Sequence, residues 1–412
     1  MKLYGIGRAL VDFFPQWENP SERQTFENIL LQLYSQNQGK PLHIEEMDFD
    51  RILKRFSDTG NCTFLQEAGG TCTNILKTVT HLLSDTAHEA DESSIHTFFT
   101  GTVGGSSVPP RPNFLGKRAD TAAIPEPLSD TTTEALSTER KTLYRDPLAL
   151  FFQKELGLYG IQSALRMEQG NTGRCLVVPA PAKVPVPVPA IKVSTPVPER
   201  DATPTATAWI AAVSPGVSPS ITREQIVLQE LQSADCCIIE GMQLGNPALD
   251  ALLQEEVLQK EKYLAIACGT PWGAKATAHF IQQYCIGTRA QKYKLMVFCN
   301  DAEGRTMEEA GINFFQLTTH RPWLFIVTHD CGGSSAYYNQ NHYFQEAATP
   351  TAPIVDPTGA GDVFAGTCLA CWAHNIATSE PLTASHITNA LREASYKASL
   401  ILQYPLCQTN FL

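Results

Sequence analysis

The sequence predicts a doubly wound α/β fold, a mostly parallel sheet flanked by helices, and three observations carry that prediction. Short apolar runs of strand length alternate with stretches of helical spacing along most of the chain. Several runs end at or beside a glycine (Gly101, Gly241, Gly332), and ligands of doubly wound sheets sit beyond the carboxyl ends of the strands. Near the C-terminus, Ile354-Val355 leads into Asp356-Pro357-Thr358-Gly359-Ala360-Gly361-Asp362, followed at once by Val363-Phe364-Ala365-Gly366. This reads as a strand end, a glycine-rich turn and a helix N-terminus.

Taken in order, strands are expected at Lys2–Gly7, Thr97–Val103, Arg174–Pro179, Cys236–Glu240, Tyr263–Ala267, Leu295–Cys299 and Trp323–Thr328. Helices are expected at Thr73–Leu83, Pro147–Leu156, Arg223–Ser233, Asn246–Lys260, Pro271–Tyr284, Gly361–His374 and Ser385–Gln403. Asn246-Pro247 and Pro271-Trp272-Gly273 suit helix starts, where a proline sacrifices no intrahelical bond. Three segments depart from the pattern. Pro15–Lys40 is polar and rich in Gln and Asn. Gly105–Arg145 holds Pro109-Pro110-Arg111-Pro112 and a Ser/Thr/Glu run. Pro179–Pro198 is a proline ladder that favours polyproline II. They are read as irregular insertions at 15–40, 105–145 and 179–198 within a single domain spanning 1–412, and no internal repeat is found.

Composition narrows the class. At 412 residues and 43% hydrophobic, the chain can bury a sizeable core. A net charge of −11, with no stripe of Lys and Arg, argues against a nucleic-acid partner. No uncharged apolar stretch approaches the length of a membrane span, so no membrane partner is expected. The N-terminus, Met1 to Gly7, reads as a strand rather than a signal segment, and twelve cysteines then suit a reducing compartment, the cytoplasm. Cys368-Leu369-Ala370-Cys371 is the one cysteine pair with metal-like spacing. It lies inside an apolar helix, where small thiols fill core.

The glycine-rich turn carries chemistry. The first N–H groups of a helix have no intrahelical partner and attract anions. Gly359 and Gly361 remove side chains that would keep a phosphate from that backbone. Asp362 is the odd element, because a carboxylate repels phosphate. Its place in an anion hole makes sense if it must take a proton there. A plain N-terminal cap is the alternative, and it would need no Gly-Ala-Gly before it.

Asp356–Gly366 closely resembles the C-terminal signature of the PfkB carbohydrate kinases, the ribokinase-like kinases, whose pattern is D-(T/P)-(T)-G-A-G-D-x-F. Ala68-Gly69-Gly70-Thr71-Cys72-Thr73-Asn74 resembles the family's other signature, Gly-Gly with an Asn four residues on, at the expected place in the N-terminal part. The resemblance implies a ribokinase-like sheet with a small β-lid. It also implies ATP-dependent transfer of the γ-phosphoryl group to a hydroxymethyl group of a sugar or nucleoside. The pattern is nearest the adenosine-kinase-like and sugar kinase branch. Asp362 would be the general base, with Gly359, Ala360 and Gly361 as the anion hole. ATP and Mg²⁺ would be the cofactors, and a monovalent cation is left open. The family's Asn-x-x-Glu motif, which acts on the metal mainly through waters, is matched by Asn300-Asp301-Ala302-Glu303; the same spacing makes an ordinary helix start. Its V-T-x-G-x-x-G nucleotide stretch is matched by Val327-Thr328-His329-Asp330-Cys331-Gly332-Gly333 with the first glycine displaced, which makes Thr328 and Gly333 ATP contacts together with Asn300. Ala394-Ser395-Tyr396-Lys397-Ala398 resembles the helix beside the adenine, with Ser395 where the usual residue is Asn.

For the acceptor, the resemblance assigns Asp12, Gly69, Gly70 and Asn74. Two departures mark the pocket as diverged. Arg8 stands where relatives usually have Asn, and Cys268-Gly269 where they often have Asp. Arg8 offers only donors and a permanent charge, so it excludes a nucleoside, favours an acidic sugar, or turns outward. The insertions fit as interruptions of family motifs. Val103-Gly104 and Asp146–Phe152 flank one of them, and Pro198-Glu199-Arg200-Asp201-Ala202-Thr203 resumes a P-D-G-E-R-T-like hairpin after another. A small-molecule substrate and a monomer or homodimer are expected. The alternative from another class is a catalytically silent ligand sensor or scaffold, motivated by the insertions, Arg8 and Ser395 and opposed by Asp362.

Overall fold

The computed structural model describes residues 1–17, 42–43, 49–54, 62–86, 95–106, 144–179, 209–217, 221–286, 294–319, 321–407, 409 and 412. The strands in chain order are β1 (Lys2–Ile6), β2 (Leu10–Trp17), β3 (Leu42–His43), β4 (Cys62–Gly69), β5 (His96–Ser106), β6 (Tyr144–Arg145), β7 (Gln162–Gln169) and β8 (Gly173–Pro179). They continue as β9 (Trp209–Ser214), β10 (Cys236–Glu240), β11 (Tyr263–Ala267), β12 (Lys294–Asn300), β13 (Trp323–Thr328), β14 (Ser334–Tyr338) and β15 (Asn341–Gln345). The larger helices are α1 (Thr71–Thr86), α2 (Pro147–Leu158), α3 (Pro271–Phe280), α4 (Asp301–Glu309), α5 (Ala360–Cys371) and α6 (Ala384–Ile401).

The main sheet runs β15-β14-β13-β12-β11-β10-β1-β5, and both β6 and β7 pair with β5. From β7 through β13 the neighbours are parallel, and a β14–β15 hairpin closes the other edge antiparallel. Parallel strands need both faces covered, and these strands are apolar on both. Leu3, Cys236, Ile238, Ala265, Met296 and Ile326 join one core with residues of α1, α2, α5 and α6. Their neighbours Tyr4, Cys237, Ile239, Leu264, Val297 and Phe325 join the opposite core with α3 and α4. The alternation is the period of two of a pleated strand, and it makes the sheet doubly wound. Cys368 belongs to the first core, as its place in an apolar helix predicts, but Cys371 at the end of α5 is exposed.

A second sheet, β3-β9-β8-β2-β4, is the small lid-like layer. β2 is antiparallel to β4 and parallel to β8, with Asp12 opposite both Glu67 and Cys175. The sequence did not announce β2 and β4 as strands. Pro15, Gln16 and Trp17 continue β2 against β4, so the irregular segment placed at 15–40 begins after 17. β8 pairs with β2 only over Leu10–Phe13, so the missing N–H of Pro15 breaks no bond on that side.

Other differences have local causes. β5 does not end at Gly101 but passes through it, and a Cβ there would lie 3.1 Å from the Gly7 carbonyl. The expected helices over 246–260 and 271–284 are each divided, with the last turn widened to π-type at Gln254–Leu258 and Ile281–Cys285. Ile354 and Val355 form no strand. They are exposed, and the N–H groups of Val355 and Asp356 donate to the Leu402 carbonyl at 2.7 and 3.3 Å.

The 105–145 segment behaves as an interruption at its ends. Gly105 and Ser106 pair with Arg145 and Tyr144. The Asp146 N–H donates to the Gly104 carbonyl at 3.2 Å. The Asp146 carboxylate caps α2 through the Ala149 N–H at 2.6 Å and accepts from the Thr172 N–H at 2.6 Å. Gly104 and Asp146 therefore meet as if adjacent. Most of 15–40, 105–145 and 179–198, and the motif at 198–203, lie outside the described residues.

Candidate active site

The parallel strands end in step. Ile6 pairs with Ile239, Ile239 with Ile266, and Ile266 with Val297. Their carboxyl ends thus deliver Arg8, Glu240, Cys268, Asn300 and Thr328 along one edge, as the doubly wound topology dictates. The depression beside Lys2, His96 and Gln162 lies at the opposite, amino-terminal ends of the strands.

α1 begins at that edge, where the Cys72 N–H meets Glu240, and packs with α5 in one core. Gly359 caps α5 at φ 77°, a left-handed conformation that glycine adopts freely, and a Cβ there would stand 2.5 Å from Cys407. A Cβ on Gly361, by contrast, would meet nothing within 4 Å. The turn is fixed by Asp356, which is fully buried. Its carboxylate accepts from the Thr358 N–H at 2.8 Å and from the Leu406 N–H at 2.7 Å, tying the turn to the C-terminal segment. Within the turn, the Ala360 N–H donates to the Pro357 carbonyl at 3.2 Å, and the first intrahelical bond runs from the Val363 N–H to the Gly359 carbonyl. The N–H groups of Gly359, Gly361 and Asp362 find no such acceptor among the described residues, whereas that of Ala360 is engaged.

Asp362 is in the first turn of α5 and keeps one face open. The Asn74 Nδ2 group on α1 donates to its Oδ2 at 2.9 Å. Burial pushes the Asp362 carboxyl up to about 7, Asn74 and Thr71 pull it down, and the nearby Glu240 and Glu303 push it up further. Asn74 is itself buried, and its Oδ1 has no hydrogen-bond partner. A buried acceptor left unpaired costs on the order of 1–3 kcal/mol, so this atom is set for a donor from outside the chain.

Asp12 faces the same space from β2. Burial, then Glu67, pushes its carboxyl up to about 7, against the pull of Lys77. No donor among the described residues bonds it. The room beside Gly69, which the sequence reserves for a substrate, is taken by this carboxylate: a Cβ on Gly69 would stand 2.0 Å from Asp12 Oδ2. Gly70, at φ 94°, lies against the Arg8 carbonyl. Arg8 does not turn outward. Its Nε donates to Glu240 Oε2 at 3.0 Å, and Glu240 Oε1 accepts from the Cys72 N–H at 3.1 Å. The charge of Arg8 is thereby matched inside the protein.

The expected nucleotide side is more fully engaged. Asn300 and Glu303 form a reciprocal capping box on α4, with Asn300 Oδ1 accepting from the Glu303 N–H and Glu303 Oε2 from the Asn300 N–H, both at 3.0 Å. Glu303 is buried, which pushes its carboxyl up to about 7. The helix-start geometry is realised here, and the second Glu303 oxygen remains for a water. No cluster of three or more His, Cys, Asp and Glu side chains able to hold a metal occurs among the described residues. Yet Glu240 and Glu303 both push the Asp362 carboxyl up, and hard carboxylate oxygens such as those of Asp362 and Glu303 suit a magnesium ion carried in with a polyphosphate.

Thr328 ends β13, and its hydroxyl reaches the Cys299 carbonyl at 3.5 Å. Asp330, at the position of the displaced glycine, takes φ 49°, so the loop keeps a left-handed turn without the glycine. Gly333 has φ 106°, and a Cβ there would stand 2.1 Å from the Gln345 carbonyl. Ser395 Oγ accepts from the Ala348 N–H at 2.8 Å and reaches the Glu346 carbonyl at 3.3 Å, bracing the segment after β15. The sequence missed a network under this loop. His329 Nδ1 bonds Asp301 Oδ1 at 2.7 Å, and Ser335 Oγ bonds both His329 Nε2 at 2.8 Å and His342 Nε2 at 3.0 Å. It also missed Glu67 and Lys77, a buried pair behind Asp12. A lysine one turn after Asn74 on a buried helix was the available signal.

Residues 214–412 match the family model described as pfkB family carbohydrate kinase. That stretch is a pfkB-family domain. The match covers the glycine-rich turn, the Asn300–Glu303 box and the 327–333 loop, and it makes the chemistry that of a kinase with a hydroxyl acceptor. Among solved structures, a probable sugar kinase from Rhizobium etli superposes with a TM-score of 0.62 at 14% identity, covering 98% of this chain and 93% of that one. Adenosine kinase from Sinorhizobium meliloti gives 0.61 at 14%, covering 98% and 96%. Anopheles gambiae adenosine kinase, solved with P1,P4-di(adenosine-5) tetraphosphate, gives 0.61 at 14%, covering 99% and 97%. At such identities the likeness is one of fold, and it runs over nearly the whole chain. A search of curated proteins finds no match. No helix among the described residues is long and apolar enough to cross a membrane.

Proposed function

We propose that this chain is an ATP-dependent kinase that transfers the γ-phosphoryl group to a hydroxymethyl group of a sugar or nucleoside, with Asp362 as general base. The observation that carries the reading is the Asn74–Asp362 pair. A carboxylate in the first turn of a helix is held by an amide whose own oxygen is buried and unpaired. A hydroxyl placed between them would donate to Asp362 and have its neighbouring hydroxyl donate to Asn74 Oδ1. Asp12, which accepts no protein hydrogen bond, would take further hydroxyls of the same acceptor.

In the reaction Asp362 accepts the proton of the attacking hydroxyl, whose oxygen forms the new bond to phosphorus as the bond to the leaving ADP oxygen breaks. The N–H groups of Gly361 and Asp362 hold charge on the transferring group. Glu303 and Asn300 would hold, through water, a Mg²⁺ ion brought in with ATP, which would supply positive charge against the phosphates. The lid sheet carries Asp12 and keeps water from the acceptor. Because Arg8 is matched by Glu240, its charge gives no call for an acidic acceptor, while its remaining N–H groups can donate to neutral hydroxyls.

The test is ADP release with Mg·ATP over a panel of sugars, sugar acids, sugar phosphates and nucleosides, with Asp362→Asn in parallel. An acceptor-dependent signal lost in the variant supports the kinase. ATP binding with silence across the panel would favour the sensor.

A further inference from the structure

The acceptor side of the cleft contains a buried ion pair that the reaction above does not use. Lys77 lies on α1 one turn after Asn74, and its side chain is entirely buried. Its Nζ donates to the Glu67 carboxylate and, at 3.1 Å, to the Ala68 carbonyl, and it stands 5.2 Å from the centre of the Tyr159 ring. Such a pair is often no more stabilising than apolar residues of the same shape, so stability alone does not account for it. Its position does. Glu67 is the cross-strand partner of Asp12, so both carboxyls project from one face of the small sheet.

Like charges opposed across a ladder repel, and in a dry site one of them takes up a proton. The groups facing Asp12 are Glu67 from β4, Cys175 from β8, Lys77 from α1, Asp362 from α5 and Asp356 from the turn before it. Lys77 is the cation among them, and Arg8 is matched by Glu240. We propose that Lys77 is a positioning residue for acceptor binding: by neutralising Glu67 it leaves Asp12 able to hold acceptor hydroxyls as a carboxylate. The inference rests on the kinase reading, since it assigns Asp12 to the acceptor.

Steady-state kinetics of the full chain test it, with Mg·ATP and the best acceptor from D-ribose, D-fructose, gluconate, fructose 6-phosphate and adenosine. Lys77→Met leaves Glu67 bare beside Asp12, so at pH 7 the acceptor KM rises about tenfold or more. The KM for ATP stays near the parent value, and the acceptor KM recovers as the pH is raised and both carboxyls ionise. The double variant Glu67→Gln/Lys77→Met removes charge and counter-charge together and returns the acceptor KM to within about threefold of the parent. Glu67→Gln alone keeps the lysine and moves the acid limb of acceptor binding to lower pH.

A pair that is merely structural would lower the melting temperature in these variants and leave the acceptor KM and its pH profile unmoved, which overturns the inference. So does a double variant as impaired as Lys77→Met. Should Lys77→Met not fold, the near-isosteric Glu67→Gln decides by whether the acid limb moves. A parent protein that turns over no acceptor overturns the kinase reading, and this inference with it, whereas turnover with unmoved variants overturns this inference alone.

Discussion

At the scale of single residues, Asp362 and its neighbours make the sharpest predictions. Asp362→Asn keeps the shape of the turn and its hydrogen bonds but cannot take a proton. Turnover should fall by roughly 10²–10⁴ while ATP affinity, read by calorimetry, stays near the parent value. Near-normal turnover would remove Asp362 as the base. Because burial pushes its carboxyl up to about 7, the parent rate should drop about tenfold per pH unit below that value and level off above it. A profile flat from pH 5 to 8 would contradict the assignment. Gly69→Ala adds a Cβ where the Asp12 carboxylate now lies, 2.0 Å from Oδ2. It should raise the acceptor KM about tenfold or more and leave the ATP KM unchanged, because only the acceptor carboxylate is displaced. The residues legible in the sequence, Asp362, Gly359, Asn74 and Asp12, are those whose proposed role rests on a local motif. Glu67, Lys77, His329 and Ser335 act through partners brought close by the fold, helix against strand for Glu67 and Lys77 and the β13–β14 turn for His329 and Ser335, and no family motif covers these contacts.

At the scale of elements, the same contrast explains which strands could be read. β10, β11 and β13 are buried on both faces, so they stand out as unbroken apolar runs and their bounds agree with the sequence reading. β2 and β4 carry the polar residues Asp12, Gln16 and Glu67 on one face and Pro15 and Gln66 on the other, so neither strand shows the unbroken apolar run that would reveal it. The interruption at 105–145 gives a prediction of its own. Its ends are already a paired ladder, Ser106 with Tyr144 and Gly105 with Arg145, and Asp146 bonds Gly104 directly. Replacing residues 107–143 by an Asn-Gly turn should therefore preserve the ladder, since two-residue turns of that type suit the twist of antiparallel strands. The shortened chain should melt within a few degrees of the parent and keep its kcat. Failure to fold would show that the removed residues hold the core together.

At the scale of the whole molecule, the cleft opposes the stability of the fold. Asp12, Asp362 and Glu303 are each pushed up to about 7 from ordinary carboxyl values near 4, in every case chiefly by burial. Each therefore binds its proton more tightly folded than unfolded. Between about pH 4 and 7 the folded chain holds more protons than the unfolded one, so stability is complete at the acid end and is lost as the pH climbs through about 7. The ligand-free protein should melt several degrees lower at pH 8 than at pH 5.5. Self-repulsion from a net charge of −11 acts in the same direction, so the slope alone does not identify the cleft. Asp362→Asn isolates it. That variant should match the parent at pH 5 and exceed it at pH 8, by roughly 1–2 kcal/mol once screening through the open face of the site is allowed for. Mg·ATP should flatten the parent's slope more than the variant's, because a divalent ion brought beside Asp362 and Glu303 supplies the positive charge that favours their ionised forms. Equal melting temperatures for parent and variant at both pH values would mean that Asp362 ionises at no cost. The buried carboxylate would then no longer explain how this chain prepares a base for a hydroxyl.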